Sequence, residues 1–135
     1  MSDEYLTSWA YWQFKTFSDL TTVAGTGSEG FYNDDGTLQT YKVKALARSY
    51  MPYTQGSLSS IRFDPESSEF DAEFRYESGT QGVDTVAYLN AEFYYPDGLD
   101  IEIMVNDLVK IDLESMGYSY TDNLLSFDLG KATEV

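Results

Sequence analysis

From Leu58 onward apolar residues recur at every second position, and this pattern limits the fold more than any other feature of the chain. In Phe70-Asp71-Ala72-Glu73-Phe74-Arg75-Tyr76, the residues Phe70, Ala72, Phe74 and Tyr76 share one face. Successive strand residues point to opposite sides, so this spacing predicts a half-buried strand. Ser60-Ile61-Arg62-Phe63 alternates in the same way, and Asp64-Pro65-Glu66-Ser67-Ser68 reads as the hairpin link between the two. Further strands are expected over 83–90, 91–95, 99–105, 108–113 and 124–129, with Pro96-Asp97-Gly98 as a tight turn. Short strands separated by regular turns predict an antiparallel β-sandwich, Ig-like in kind. Its interior should hold Phe63, Phe70, Phe74, Ile101, Ile103 and Val105. Glu69, Asp71 and Glu73 fall on the polar face and are expected in solvent.

Ahead of Gly56-Ser57 the spacing is helical. Leu38, Tyr41, Ala45 and Leu46 form one stripe, which predicts a helix from Thr37 to about Tyr50. Thr37 would cap it and Pro52 would stop it. Lys42, Lys44 and Arg48 are expected as a solvated face. Before the helix, Gly25-Thr26-Gly27-Ser28 reads as flexible loop and Asn33-Asp34-Asp35-Gly36 as a turn. The turn does not make an EF-hand: counting from Asn33, the glycine and glutamate positions hold Leu38 and Lys44. No Gly-Lys-Ser/Thr follows the glycines, so there is no phosphate-binding loop.

Ser8-Trp9-Ala10-Tyr11-Trp12-Gln13-Phe14-Lys15 is the densest aromatic stretch. Aromatics suit a packed, pleated surface, so residues 5–14 are expected as a buried strand opening into the loop. Trp9 should lie in the core. Trp12 and Lys15, nearest the loop, are the candidate ligand contacts: a flat apolar face and a charged donor.

Composition removes whole classes of chemistry. The 135 residues include no cysteine and no histidine, so thiol catalysis, disulfides, cysteine-based metal sites, imidazole bases and the commonest metal ligand are absent from the sequence. No metal or cofactor is expected, and any chemistry would fall to carboxylates. A net charge of −15 argues against nucleic acid and anionic membranes as partners. No run of eighteen apolar residues occurs, and no signal peptide is visible.

The aromatic run, followed by Asp19-Leu20-Thr21-Thr22, resembles the last barrel strand of endoglycoceramidase-type enzymes of glycoside hydrolase family 5. Gly30-Phe31-Tyr32-Asn33-Asp34-Asp35-Gly36 resembles the loop before the family's last barrel helix. Lys42-Val43-Lys44-Ala45-Leu46-Ala47-Arg48-Ser49-Tyr50 resembles that helix, and Gln55-Gly56 its exit. Phe70–Tyr76, Thr85–Leu89 and Tyr94-Tyr95-Pro96-Asp97-Gly98 resemble the start of its C-terminal β-sandwich. The resemblance implies two parts, 1–56 as the terminal strand-loop-helix of a (β/α)8 barrel and 57–135 as the sandwich. It also implies a retaining glycosidase cleaving the glycan–ceramide linkage of glycosphingolipids. The family's two catalytic glutamates would follow its fourth and seventh barrel strands, so none is assigned here. Trp12 matches the tryptophan that stacks on the sugar, and Lys15 matches a lysine three residues on. An extracellular or lysosomal setting and a glycolipid substrate follow from the same likeness. The alternative is a non-catalytic sandwich that binds carbohydrate or self-assembles, with the N-terminal strand as the route of self-association.

Overall fold

The computed structural model describes residues 2–14, 29–80, 82–106 and 109–132. Lys15 and the Gly25–Ser28 segment lie outside the described residues. The architecture is mainly antiparallel β, as the alternation requires. A four-stranded sheet has the order β1 (Tyr50–Tyr53), β4 (Thr85–Tyr88), β8 (Leu124–Phe127), β7 (Ser119–Thr121). Two hairpins cover its inner side, β2 (Gly56–Phe63) with β3 (Phe70–Tyr76), and β5 (Ile103–Val105) with β6 (Val109–Ile111). Ala87, Leu125 and Phe127 from the sheet join Leu89, Met116 and Leu129 in the buried core. Phe70, Phe74 and Tyr76 of β3 pack onto it, with Ile103 and Ile111 from the second hairpin. This is the β-sandwich.

The β2–β3 hairpin follows the sequence closely. Phe63 pairs with Phe70 and Leu58 with Phe74, with one register shift between Leu58 and Ser60. The link closes through Asp64 N–H to Glu69 O at 2.9 Å and Ser68 N–H to Asp64 O at 2.9 Å. Asp71, Glu73 and Arg75 face solvent while Phe70, Ala72, Phe74 and Tyr76 are half-buried.

Other expectations are corrected. Ala91–Tyr94 is a turn, not a strand, because Asn90 closes it: Phe93 N–H donates to Asn90 Oδ1 at 2.9 Å and Tyr94 N–H to Asn90 O at 3.1 Å. The strands expected over 99–105 and 108–113 shorten to β5 and β6, and Val105 is exposed rather than inside. Leu129 does not extend β8 but begins a short helix, α2 (Leu129–Ala132). Pro52 does not stop a helix; it sits in edge strand β1. The pairings Tyr50 with Tyr88 and Tyr53 with Val86 leave an extra residue there, a bulge that tolerates proline's missing N–H. Asp122 and Asn123, with φ of 53° and 64°, form the two-residue turn between β7 and β8.

Helix α1 (Thr40–Leu46) is shorter than expected, and Gln39 stands at its N-cap position. Thr37 is held in the preceding turn instead, where its N–H and hydroxyl both bind Asp35. Leu38, Tyr41 and Ala45 face solvent, so the stripe is not a core face among the described residues.

Between the sheets lies a buried polar hub. Gln55 is fully buried and donates from Nε2 to Asp128 Oδ1 at 2.7 Å. Its Oε1 accepts from Leu129 N–H at 2.8 Å and from the Thr85 hydroxyl at 3.3 Å. Its backbone N–H donates to Thr85 Oγ1, and its carbonyl accepts from Glu77 N–H. Buried amides need such partners. The Gln55 hydrogen bond is the main cause holding the Asp128 carboxyl below the ordinary aspartate range, helped by Gly130 N–H and Lys131. A group depressed on folding contributes stability above its unfolded pKa, near 4, and loses it as pH falls through the folded value. Unfolding midpoints should therefore drop below about pH 4. The drop should be shallower in Asp128→Asn, as read by thermal melts from pH 7 to pH 2.5.

Candidate functional site

The expected strand over residues 5–14 is not formed. Residues 2–6 make a turn, with Tyr5 N–H to Ser2 O and Leu6 N–H to Asp3 O, and residues 7–14 run without strand pairing. A parallel barrel strand takes its backbone partners from neighbours on both edges. Among the described residues the hydrogen bonds of 11–14 all run to one neighbour, residues 29–31. Gln13 N–H donates to Glu29 O at 3.4 Å, Phe31 N–H to Phe14 O at 3.0 Å, and the Tyr11 hydroxyl to Glu29 O at 2.9 Å.

Two aromatic rings of this segment meet the rings of residues 31 and 32. Tyr11 stacks on Phe31 with centroids 5.2 Å apart, and Phe14 meets Phe31 and Tyr32 edge-on. Trp12 takes no part in these contacts and is 70% exposed. Next to it, across a cis peptide, Gln13 is buried, and its Nε2 has no hydrogen-bond partner among the described residues. Trp9 was expected in the core but is 51% exposed. It lines an open groove of about 690 Å³ between the N-terminal segment and the sandwich, together with Tyr50, Tyr88, Leu58 and Ile61.

Residues 29–39 hold the far end of the segment. Tyr32 bridges Leu38 around the Asn33–Gly36 turn. The Gln39 side chain is buried and donates to Gly30 O and Tyr32 O at 3.3 and 3.1 Å. Lys42 Nζ also reaches Gly30 O, at 3.0 Å. Of the cations expected in solvent, Lys44 is exposed, whereas Lys42 and Arg48 are half-buried. Lys44 lies over the Tyr94 ring at 5.2 Å. Arg48 covers the Phe63 ring at 5.2 Å, donates to Phe63 O at 3.1 Å, and pairs with Asp3.

No group of three or more acidic side chains able to hold a metal ion occurs among the described residues. Asp35 and Asp64 have lowered carboxyl pKa values, but each is engaged with its own turn, Asp35 with Thr37 and Asp64 with Glu66. What the segment offers chemically is an aromatic platform, not a proton-transfer pair.

Residues 48–125 match the glycoside hydrolase family 5 C-terminal domain. The chain belongs to this family. A curated relative, the endoglycoceramidase of Cyanea nozakii, is 22% identical over 107 residues, covering 79% of this chain and 21% of that protein. The chain thus spans about a fifth of the length of the relative that it matches. No solved structure shows a significant match. The family 5 match begins at Arg48, so it includes β1, the whole Gln55 hub except Asp128 and Leu129, and the Arg48 contacts with Phe63. Sequence reasoning reached Trp12 from its place at the end of an aromatic run. It missed Gln13 and the Asp3–Arg48 pair, because nothing in local spacing marks a neutral amide as buried or joins positions 3 and 48.

Proposed function

We propose that this chain is the C-terminal part of a retaining glycosidase of the endoglycoceramidase type, acting on the glycan–ceramide linkage of glycosphingolipids. In this reading residues 1–56 complete a (β/α)8 barrel and 57–135 form its accessory sandwich. The observation that carries it is the free ring of Trp12, at the position that resembles the family's sugar-stacking tryptophan, in a chain aligned with an endoglycoceramidase. Trp12 and Lys15 are the proposed substrate contacts, and the two catalytic glutamates belong to barrel strands that this chain does not match. It is therefore incomplete as a catalyst alone. The exposed rings of Tyr5, Trp9, Trp12 and Phe14 also supply an apolar surface for self-association of the isolated chain. Light scattering should show species above monomer mass, shifted toward monomer by Trp9→Ser with Phe14→Ser.

A second reading, a glycan-binding module without catalysis, is favoured by the groove whose walls present Trp9, Tyr50 and Tyr88. Oligosaccharide titration followed by tryptophan fluorescence separates the two. Under the first reading Trp12→Ala weakens binding by about 1–3 kcal/mol, by analogy with aromatic–base stacking, and leaves the fold intact. Trp9→Ala should then cost little in either stability or binding, about 0.5 kcal/mol for a half-exposed ring. Loss of binding in Trp9→Ala with Trp12→Ala unaffected would instead select the groove.

A further inference from the structure

We propose that Arg48 is a positioning residue that ties the Trp12 segment to the sandwich. The proposal rests on the reading of Trp12 as the sugar-stacking ring, but its test uses no sugar, so the two fail separately.

Arg48 is half-buried just past α1, where the chain turns into β1. Its guanidinium serves both parts of the molecule. On the sandwich side it donates to Phe63 O at 3.1 Å and lies on the Phe63 ring. That ring is buried and meets Tyr94 edge-on at 4.8 Å. Tyr94 in turn donates its hydroxyl to Lys44 O at 2.6 Å and carries Lys44 over its face. The guanidinium is thus oriented by a stack of cation, ring, ring and cation that fixes α1 to β2 and the 91–94 turn.

On the other side Arg48 donates from both Nε, at 3.2 Å, and Nη2 to Asp3 Oδ2. Asp3 belongs to the turn closed by Leu6 N–H to Asp3 O and Thr7 N–H to Ser2 O. That turn leads directly into Trp9 and Trp12. Among the described hydrogen bonds, the Arg48–Asp3 contacts are the ones joining residues 2–14 to residues 48–132. Beside them lies the groove lined by Trp9, Tyr50 and Tyr88. The segment is then held at its start by Arg48 and at its end by residues 29–31.

Chymotrypsin cleavage within residues 5–14 of the full 135-residue chain, followed by mass spectrometry, tests this. The segment carries Tyr5, Leu6, Trp9, Tyr11, Trp12 and Phe14 as cleavage sites. Asp3→Asn removes the charge without touching the sandwich. It should speed cleavage there on the order of tenfold, the effect of losing one charge-assisted hydrogen bond, with the thermal midpoint unchanged. Arg48→Lys should restore part of the protection lost in Arg48→Ala. The double variant Asp3→Asn/Arg48→Ala should cut no faster than Arg48→Ala, because both changes remove one contact. A rate for Asp3→Asn within twofold of the parent, or effects that multiply in the double variant, would overturn the proposal.

Discussion

Gly56→Ala should be the most damaging single substitution in this chain, lowering stability by about 4 kcal/mol. Gly56 opens β2 at φ +147°, in the region that side chains avoid. A methyl group there would sit 1.8 Å from Arg75 O, a backbone atom that cannot rotate away. That backbone is held in the β3 ladder, where Gly56 pairs with Tyr76. Relief therefore requires opening the first rungs of the hairpin. Domains of this size are stable by roughly 5–15 kcal/mol, so much of the margin would go. Gly36→Ala and Gly98→Ala are the controls. Both have positive φ but nothing within 4 Å, so each should cost only about 1 kcal/mol of backbone strain. Urea denaturation of the three variants checks the order. A Gly56→Ala midpoint equal to those of the controls would contradict the close approach.

Gln55→Ala should follow at about 3–4 kcal/mol, since each buried partner left unsatisfied costs about 1–3 kcal/mol. The change strands Leu129 N–H in the core and removes the Nε2 donor from Asp128. It also takes away the acceptor of the fully buried Thr85 O–H, while Oγ1 keeps the bond from the residue 55 N–H. Gln55→Glu distinguishes hydrogen bonding from volume. It keeps the size and the acceptor for Leu129 but sets a carboxylate against Asp128 Oδ1, where 2.7 Å now separates donor from acceptor. Two acids so close resist joint ionisation, so this variant should gain stability on acidification from pH 7 to 5 while the parent does not. Calorimetry at the two pH values reads the sign directly. A Gln55→Ala variant as stable as the parent would mean that water replaces the hub.

The hairpin that Gly56 begins was legible because strand periodicity is a local property. Phe70 to Tyr76 alternates without interruption, and the Asp64–Ser68 link carries turn residues. Gln55-Gly56 was visible as a motif but not as a hub, since its partners Thr85, Asp128 and Leu129 lie 30, 73 and 74 positions away. The strand expected over 5–14 failed for a different reason. Aromatic density states that a segment prefers cover, and it does not state what covers it. Trp9, expected in the core, stands half exposed here, and Tyr5, Trp12 and Phe14 are more exposed still. The 91–95 strand failed because Tyr94 and Tyr95 match strand preference as well as they match a packed turn. The side chain that decided between them was Asn90. Of the two candidate contact residues, Trp12 stands exposed and Lys15 lies outside the described residues. The burial of Gln13 and the Asp3–Arg48 pair depend on tertiary contacts that no spacing rule supplies.

Catalytic complementation tests the proposed function most directly. Purified residues 1–135 are assayed for ganglioside hydrolysis alone, and again fused behind the preceding part of the Cyanea nozakii endoglycoceramidase in place of that enzyme's own matching fifth. The chain alone should give no turnover. The folded fusion should hydrolyse the substrate, and Trp12→Ala should lower its kcat/KM by roughly 5–150-fold, the equivalent of about 1–3 kcal/mol of lost stacking. Hydrolysis by the isolated chain that disappears when one of its own carboxylates is neutralised would contradict the account, as would a folded, active fusion indifferent to Trp12→Ala.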